Sequence, residues 1–290
     1  MKYIGMILWT VLATSVGCSL AHDKGNTPED GPLKFCRFRA GDTVSYGLVE
    51  GDRVRQLDGS PFGKFGRTHR TWALEDVKLL VPVRPTKVLA LAGNYGTHLG
   101  DTPKHPHPEI FFKLPSALIS HDADVEIPPG TTDVHPEAEM VLVIGRRARN
   151  VPESEALDYL FGVTCGNDVS ARDWQKNDVQ WWRAKGSDTF GPCGPFIVCG
   201  LDQDDLLLQL RCNGEVKQSQ RTRDLIHNVA QIISFISRHV TLEAGDLIYT
   251  GTPGATSPIK PGDLLEVELE GVGILRNRVK AKQIPNEKKE

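Results

Sequence analysis

Glu137-Ala138-Glu139-Met140-Val141-Leu142-Val143-Ile144-Gly145 opens on two acids and runs straight into an unbroken apolar stretch. A short apolar run of this kind predicts a buried strand. Side chains alternate on a strand, so Glu137 and Glu139 project from one face, roughly 7 Å apart along the chain. Like charges placed side by side repel unless a cation sits between them. A third carboxylate, Asp168, follows a second apolar segment, Phe161 to Cys165, in Gly166-Asn167-Asp168. Three carboxylates with no Cys or His beside them are hard oxygen donors, suited to Mg²⁺, Mn²⁺ or Ca²⁺ better than to zinc. Taken alone, a Glu-x-Glu pair at a strand entrance is more often the solvated face of an edge strand, so the metal reading leans on the rest of the chain.

Around this stretch the chain is strand-rich. Leu33 to Phe62 breaks into short apolar runs at Gly41-Asp42 and at the hairpin signal Glu50-Gly51-Asp52. This predicts a small β-rich unit over 33–78, with the polar stretch Lys64 to Asp76 as a linker. The main unit, 79–282, begins near Leu79 and leads to the strand Val88-Leu89-Ala90-Leu91-Ala92. Helical signals stand at Pro152 to Leu160 and, with Leu225, Val229, Ile232, Ile233 and Ile236 on one face, at Asp224 to His239, capped by Thr222 or Asp224. Leu265, Val267 and Leu269 alternate with acids, as in a half-buried strand. The proportions define a β-rich α+β protein.

The 290 residues, 39% hydrophobic and 24% charged, suffice for a sizeable core. The net charge of -3 and the lack of a basic cluster argue against nucleic acid as a partner. Residues 1–21 look like an export segment: Lys2, an apolar stretch Ile4 to Val16 too short to span a membrane, then a cleavage signal. Ser15-Val16-Gly17-Cys18 resembles a bacterial lipobox, which would lipidate Cys18, while Ser19-Leu20-Ala21 is an ordinary small-x-small site. Either predicts a bacterial protein that is exported, periplasmic or membrane-anchored only through Cys18, with residues 22–32 as a polar tether. The six cysteines show no CxxC spacing and read mostly as small buried hydrophobes, with one disulfide open to an oxidising compartment.

Several loops carry polar groups suited to a site. In Asn94-Tyr95-Gly96-Thr97-His98-Leu99-Gly100-Asp101, His98 and Asp101 are three apart, so on one helical turn the acid can orient the base. Arg172 and Gln175 are likewise three apart; Arg grips carboxylates and Gln holds water or carbonyls. Lys113, in Phe111-Phe112-Lys113, and Lys185, before Gly186, can hold a substrate carboxylate. Tyr249-Thr250-Gly251-Thr252-Pro253-Gly254 can form a small anion nest. Each alone has a plainer reading as a solvated turn.

In order, Asn-Tyr-x-x-His, Phe-x-Lys-x-x-Ser, Glu-x-Glu-x-x-x-x-Ile-Gly, Gly-Asn-Asp-Val-Ser-Ala-Arg-Asp-x-Gln, Lys before Asp-Thr-Phe-x-Pro-x-Gly-Pro, and Thr-Gly-Thr-Pro resemble the fumarylacetoacetate hydrolase family over about Leu33 to Val279. The resemblance implies a mixed β-sandwich roll of the fumarylacetoacetase C-terminal type and a homodimer. It implies metal ligands Glu137, Glu139 and Asp168, and Mg²⁺ or Mn²⁺ as cofactor. His98 is the implied lid base, and Lys113, Arg172, Gln175, Lys185 and Thr252 the substrate-gripping positions. Two places depart from the family pattern: Asp101 stands where a Glu is usual, and Gly254-Ala255-Thr256-Ser257 replaces a Gly-Val loop.

The activity so implied is metal-assisted C–C bond cleavage in a 2,4-dioxo acid. His98, supported by Asp101, would activate water, and Lys185 would hold the carboxylate end. Decarboxylation or isomerisation of 2-oxo diacids on the same site is the alternative. A non-catalytic exported binding protein is a third reading, opposed by the retained His98.

Overall fold

A computed structural model describes residues 31–283. The export segment with Cys18, and most of the tether, lie outside the described residues. The largest sheet runs, edge to edge, through Arg67–Ala73, Arg53–Leu57, Thr43–Glu50, Leu33–Ala40, Gly191–Cys199, Leu160–Asn167, Ala138–Ile144, Leu247–Tyr249, Val88–Ala92 and Glu109–Lys113. A five-stranded sheet, Glu215–Arg221, Leu207–Cys212, Leu264–Leu269, Gly273–Ala281 and Asp124–Ile127, packs against it. This is the β-rich α+β architecture. The first four strands continue the large sheet through pairing of Leu33–Ala40 with Gly191–Cys199, rather than closing a sheet of their own.

Every residue of the strand Ala138–Ile144 is buried. Met140, Leu142 and Ile144 enter one core with Ile232 and Ile233 of the helix Val229–His239 and with Leu208 and Val267 of the second sheet. Val141 and Val143 point the other way, into a core with Phe35, Ile197 and Tyr249. Strand alternation puts Glu137 and Glu139 in this second row, at the end where apolar filling stops. Burying each Val, Leu or Ile is worth about 1.5–3 kcal/mol. A one-residue slip would drive the acids into the helix-side core, so the register is strongly specified.

Three local expectations are corrected. Lys64 to Asp76 is not a linker: it holds the strand Arg67–Ala73, which pairs with Arg53–Leu57. It is an outer strand with solvent on one side, so its sequence is polar, but Trp72 packs on Phe38 with ring centroids 5.2 Å apart. The Pro152 to Leu160 segment is a 3₁₀ helix, Glu153–Tyr159, not an α-helix. The long helix starts at Val229, not at Thr222 or Asp224. Asn228 caps it through a capping box with Gln231. The Thr222 hydroxyl is committed to Leu206 N and Gln203 O, and Leu225 bridges to Tyr95, so Thr222–Asp224 forms a separate 3₁₀ turn before the helix begins.

The five described cysteines are free, four of them buried. Burial pushes the Cys36 and Cys165 thiols up to about 12, consistent with a packing role.

Candidate metal and substrate site

The pairing of Ala138–Ile144 with Leu160–Asn167 sets Ala138 opposite Asn167 and Glu139 opposite Gly166. One step further along this ladder, Glu137 faces Asp168, and Asp168 N donates to Glu137 O at 2.9 Å. Gly166 is required here: a Cβ on it would lie 2.3 Å from Val141 Cγ2 and 2.6 Å from the Tyr249 ring. Glu137, Glu139 and Asp168 are all buried, and one carboxylate oxygen from each lies within 4.8 Å of the others. The triad can therefore hold a metal ion through hard oxygen donors, as expected for Mg²⁺ or Mn²⁺.

Two lysines and an arginine surround the triad. Lys185 Nζ lies 2.5 Å from Glu137 Oε2 and 2.6 Å from Asp168 Oδ2. Lys113 Nζ donates to Asp168 Oδ1 at 2.6 Å and also to the Lys185 carbonyl. Arg172 Nη2 donates to Glu137 Oε1. Burial alone would raise the Glu137 carboxyl, but Lys185, Arg172 and His98 hold it well below the usual carboxylate range. Glu139 goes the other way. Burial, then the charges of Asp168 and Glu137, push its carboxyl well up, with only partial relief from Lys185 and the Gly251 N–H at 2.6 Å. Burial lowers Lys113; for Lys185 burial is outweighed by Asp168 and Glu137, which raise it. Glu139 is thus the acid whose charge the protein leaves least compensated, and a divalent cation would compensate it.

Above this floor stands the helix Gly96–Leu99, carrying His98. His98 Nδ1 lies 2.7 Å from Gly254 O, so Nδ1 carries a proton and Nε2 is the nitrogen turned toward the floor. His98 Nε2 is 3.7 Å from Glu137 Oε1. Thr97 Oγ1 accepts from Gly254 N at 3.0 Å, so both backbone polar groups of one residue hold the helix down. The cavity beneath, about 40 Å³, is lined by His98, Glu137, Glu139, Arg172, Gln175, Lys185 and Thr252, together with Trp181 and Leu91 to Gly93. That is room for an ion or a water, not for an organic acid, so admission requires the His98 segment to lift. A larger groove of about 660 Å³, between Leu74 and His121, lies apart from the triad.

Seven of the ten sequence-predicted site residues line this cavity. Arg172 and Gln175 meet as expected, Nη1 to Oε1 at 2.8 Å. Thr252 also faces the cavity, its hydroxyl donating to Ala138 O at 2.9 Å. Three expectations change. Asp101 does not orient His98: Gly100, at φ +56°, ends the helix between them, Asp101 is exposed, and a backbone carbonyl serves the ring instead. Lys113 does not face the cavity; its side chain is 0% exposed and neutralises Asp168 from behind. Lys185 does line the cavity, yet its ammonium sits between two carboxylates of the triad rather than free for a substrate. Sequence reading also missed Gln218, which binds Ala138 N through its carbonyl and donates to Thr252 Oγ1 and Pro253 O. It missed Asn94, which ties Thr250 O to the His227 backbone. Neither lies in a motif with the carboxylates, and only the sheet-to-sheet packing brings Gln218 there.

Fold and triad place the chain in a known class, and the comparisons agree. The family model described as fumarylacetoacetate (FAA) hydrolase C-terminal matches residues 87–280, and the model described as Rv2993c-like, N-terminal matches residues 33–82. The chain belongs to the fumarylacetoacetate hydrolase family. It is 40% identical to Protein Rv2993c of Mycobacterium tuberculosis, over 87% of this chain and 100% of that one. The solved structure of 2-hydroxyhepta-2,4-diene-1,7-dioate isomerase from Mycobacterium marinum superposes with TM-score 0.82 at 41% identity, covering 87% of this chain and 100% of that one. Oxaloacetate tautomerase FAHD2A, mitochondrial, of Bos taurus is 36% identical over 70% of each chain.

Proposed function

We propose that this protein is a divalent-metal-dependent isomerase of 2-oxo diacids, moving a proton between keto and enol or unsaturated forms. The observation that carries the reading is the setting of His98. Its Nε2 faces the floor, and its ring is oriented by the Gly254 carbonyl with no carboxylate behind it. Moving a proton beside a 2-oxo group needs one base held in place over the substrate, and the Gly254 carbonyl holds this ring.

Bound Mg²⁺ or Mn²⁺ would supply Lewis acidity that stabilises negative charge on the 2-oxo acid's oxygens. Glu137, Glu139 and Asp168 would hold it. His98 Nε2 takes and returns the proton, Arg172 and Gln175 hold the substrate's far end, and the lowered His98 segment excludes water. Charge favours a diacid. The three carboxylates are matched by Lys113, Lys185 and Arg172, so a divalent cation leaves two positive charges for a dicarboxylate to neutralise. Two proteins of similar sequence or structure carry isomerase and tautomerase in their names.

The test is purified protein with oxaloacetate and with a 2-hydroxydiene dioate, with Mg²⁺, with Mn²⁺ and after EDTA. Metal-dependent isomerisation is expected. A second reading, hydrolysis of acylpyruvates, rests on the same base reaching a water and on the family's hydrolase fold. Pyruvate release from an acylpyruvate, with no isomerisation of either diacid, would establish it and defeat the first. Export through residues 1–21 and a homodimer complete the proposal; mass spectrometry of the mature N-terminus and light scattering test them.

A further inference from the structure

A chain of hydrogen bonds at the rim of the site has no part in the chemistry above. Asp133 Oδ1 lies 2.8 Å from His135 Nε2, and His135 Nδ1 lies 2.7 Å from Thr256 Oγ1. Thr256 Oγ1 accepts from Arg172 Nη2 at 3.0 Å. The proton positions follow from donor and acceptor rules. An arginine only donates and an ionised carboxylate only accepts. Asp133 therefore takes Nε2–H of His135; in the tautomer with that single proton, Nδ1 is an acceptor and Thr256 gives its one hydroxyl proton to it. The Thr256 oxygen lone pairs are then turned toward Arg172. The chain has one direction, from Arg172 outward to Asp133, whose side chain is 47% exposed.

We propose that Thr256 and His135 are positioning residues that set the Arg172 guanidinium as the clamp for the distal carboxylate, and so set the preference for diacids over monoacids. A guanidinium offers five N–H donors in a rigid fork. Three bonds go to Gln175, Glu137 and Thr256, and the remaining donors are available to an anion in the cavity that Arg172 lines. Glu137 pulls the fork down toward the carboxylate floor; Thr256 holds it at the rim. The loop itself does not depend on this bond. Gly254 N is held by Thr97, Pro253 O by Gln218, and Ile259 N by Val134 O. Thr256 lies in Gly254-Ala255-Thr256-Ser257, the stretch that departs from the family pattern.

The inference rests on the reading of the site as one for 2-oxo diacids on a divalent cation. Calorimetry on the Mn²⁺-saturated protein with oxaloacetate, pyruvate and oxalate separates the two. Thr256→Val keeps the shape and removes the hydroxyl. It should weaken oxaloacetate about tenfold, the effect of one hydrogen bond to a charged group, and leave pyruvate and oxalate unchanged. Thr256→Ser should restore oxaloacetate affinity, and His135→Ala should shift it in the same direction as Thr256→Val but less. If Thr256→Val changes nothing, or weakens all three ligands equally, the positioning role is wrong while the site reading stands. Wild-type protein that binds none of the three would overturn both.

Discussion

The floor and the rim of this site are built on opposite principles. The floor is backbone-determined: strand register puts Glu137 opposite Asp168, and Lys113 and Lys185 lock the acids from below and beside. The rim is made of loops. His98 is fixed by a carbonyl from the Thr252–Gly254 turn, and Arg172 by Gln175 of its own helical turn and Thr256 of a further loop. On the proposed reading, the floor decides that a cation and a 2-oxo acid meet there. The rim decides what happens to them. A family can keep the first and vary the second, because loop changes leave the strand register untouched.

The sharpest way to break the comparison is at the floor. Glu139→Ala should abolish cation binding and all turnover while the chain stays folded; calorimetry with Mn²⁺ checks this. Because burial and its two acidic neighbours hold the Glu139 carboxyl well up, cation uptake displaces its proton. Affinity should fall as pH drops through that raised value, and proton release should appear as a dependence of binding heat on buffer. In the metal-free chain the same shift is a stability cost. It is absent below the unfolded carboxyl's value and grows as pH rises above it. Glu139→Gln should therefore raise the metal-free Tm, and by more at alkaline than at acidic pH.

At the rim, His98→Ala should lower kcat by about 10²–10⁴-fold, the range for a lost general base, with oxalate affinity retained. Wild-type turnover in this variant would remove His98 from the mechanism. Lys113→Met returns to the floor and distinguishes support from substrate contact. Leaving Asp168 buried with Lys185 as its remaining ammonium partner should cost about 1.5–3 kcal/mol of stability, seen in denaturant titration, whereas a substrate contact would show as weaker binding at unchanged stability. The smallest effect is expected from Asp101→Asn, a change in kcat of less than about twofold, since Asp101 is exposed and a carbonyl already holds the ring. A loss near that of His98→Ala would mean that the acid swings in on closure.

The floor was legible because its signals are local. Alternation assigns Glu137 and Glu139 to one face within three residues, and the apolar run fixes which end of the strand is wet. Asp168 needed a partner strand, but it lies at the end of one with its own apolar run. The rim was not legible. The expected His98–Asp101 pair assumed a continuous helical turn, and Gly100 breaks it. Gln218, on the strand Glu215–Arg221, reaches Thr252 only because two sheets stack. The polar outer strand Arg67–Ala73 had no periodic apolar face to mark it. Side chains that act across layers leave no spacing in the sequence.

The lysine wedged between Glu137 and Asp168 has a consequence for the life of the protein. A chain whose acidic pocket carries its own ammonium counter-ion can complete folding before it ever meets its metal. Synthesis and maturation are then uncoupled from cation supply, unlike small zinc domains that are unfolded until loaded. If the triad takes a divalent ion as proposed, the ion is a late and exchangeable addition, and the protein can wait, folded, until its surroundings provide one.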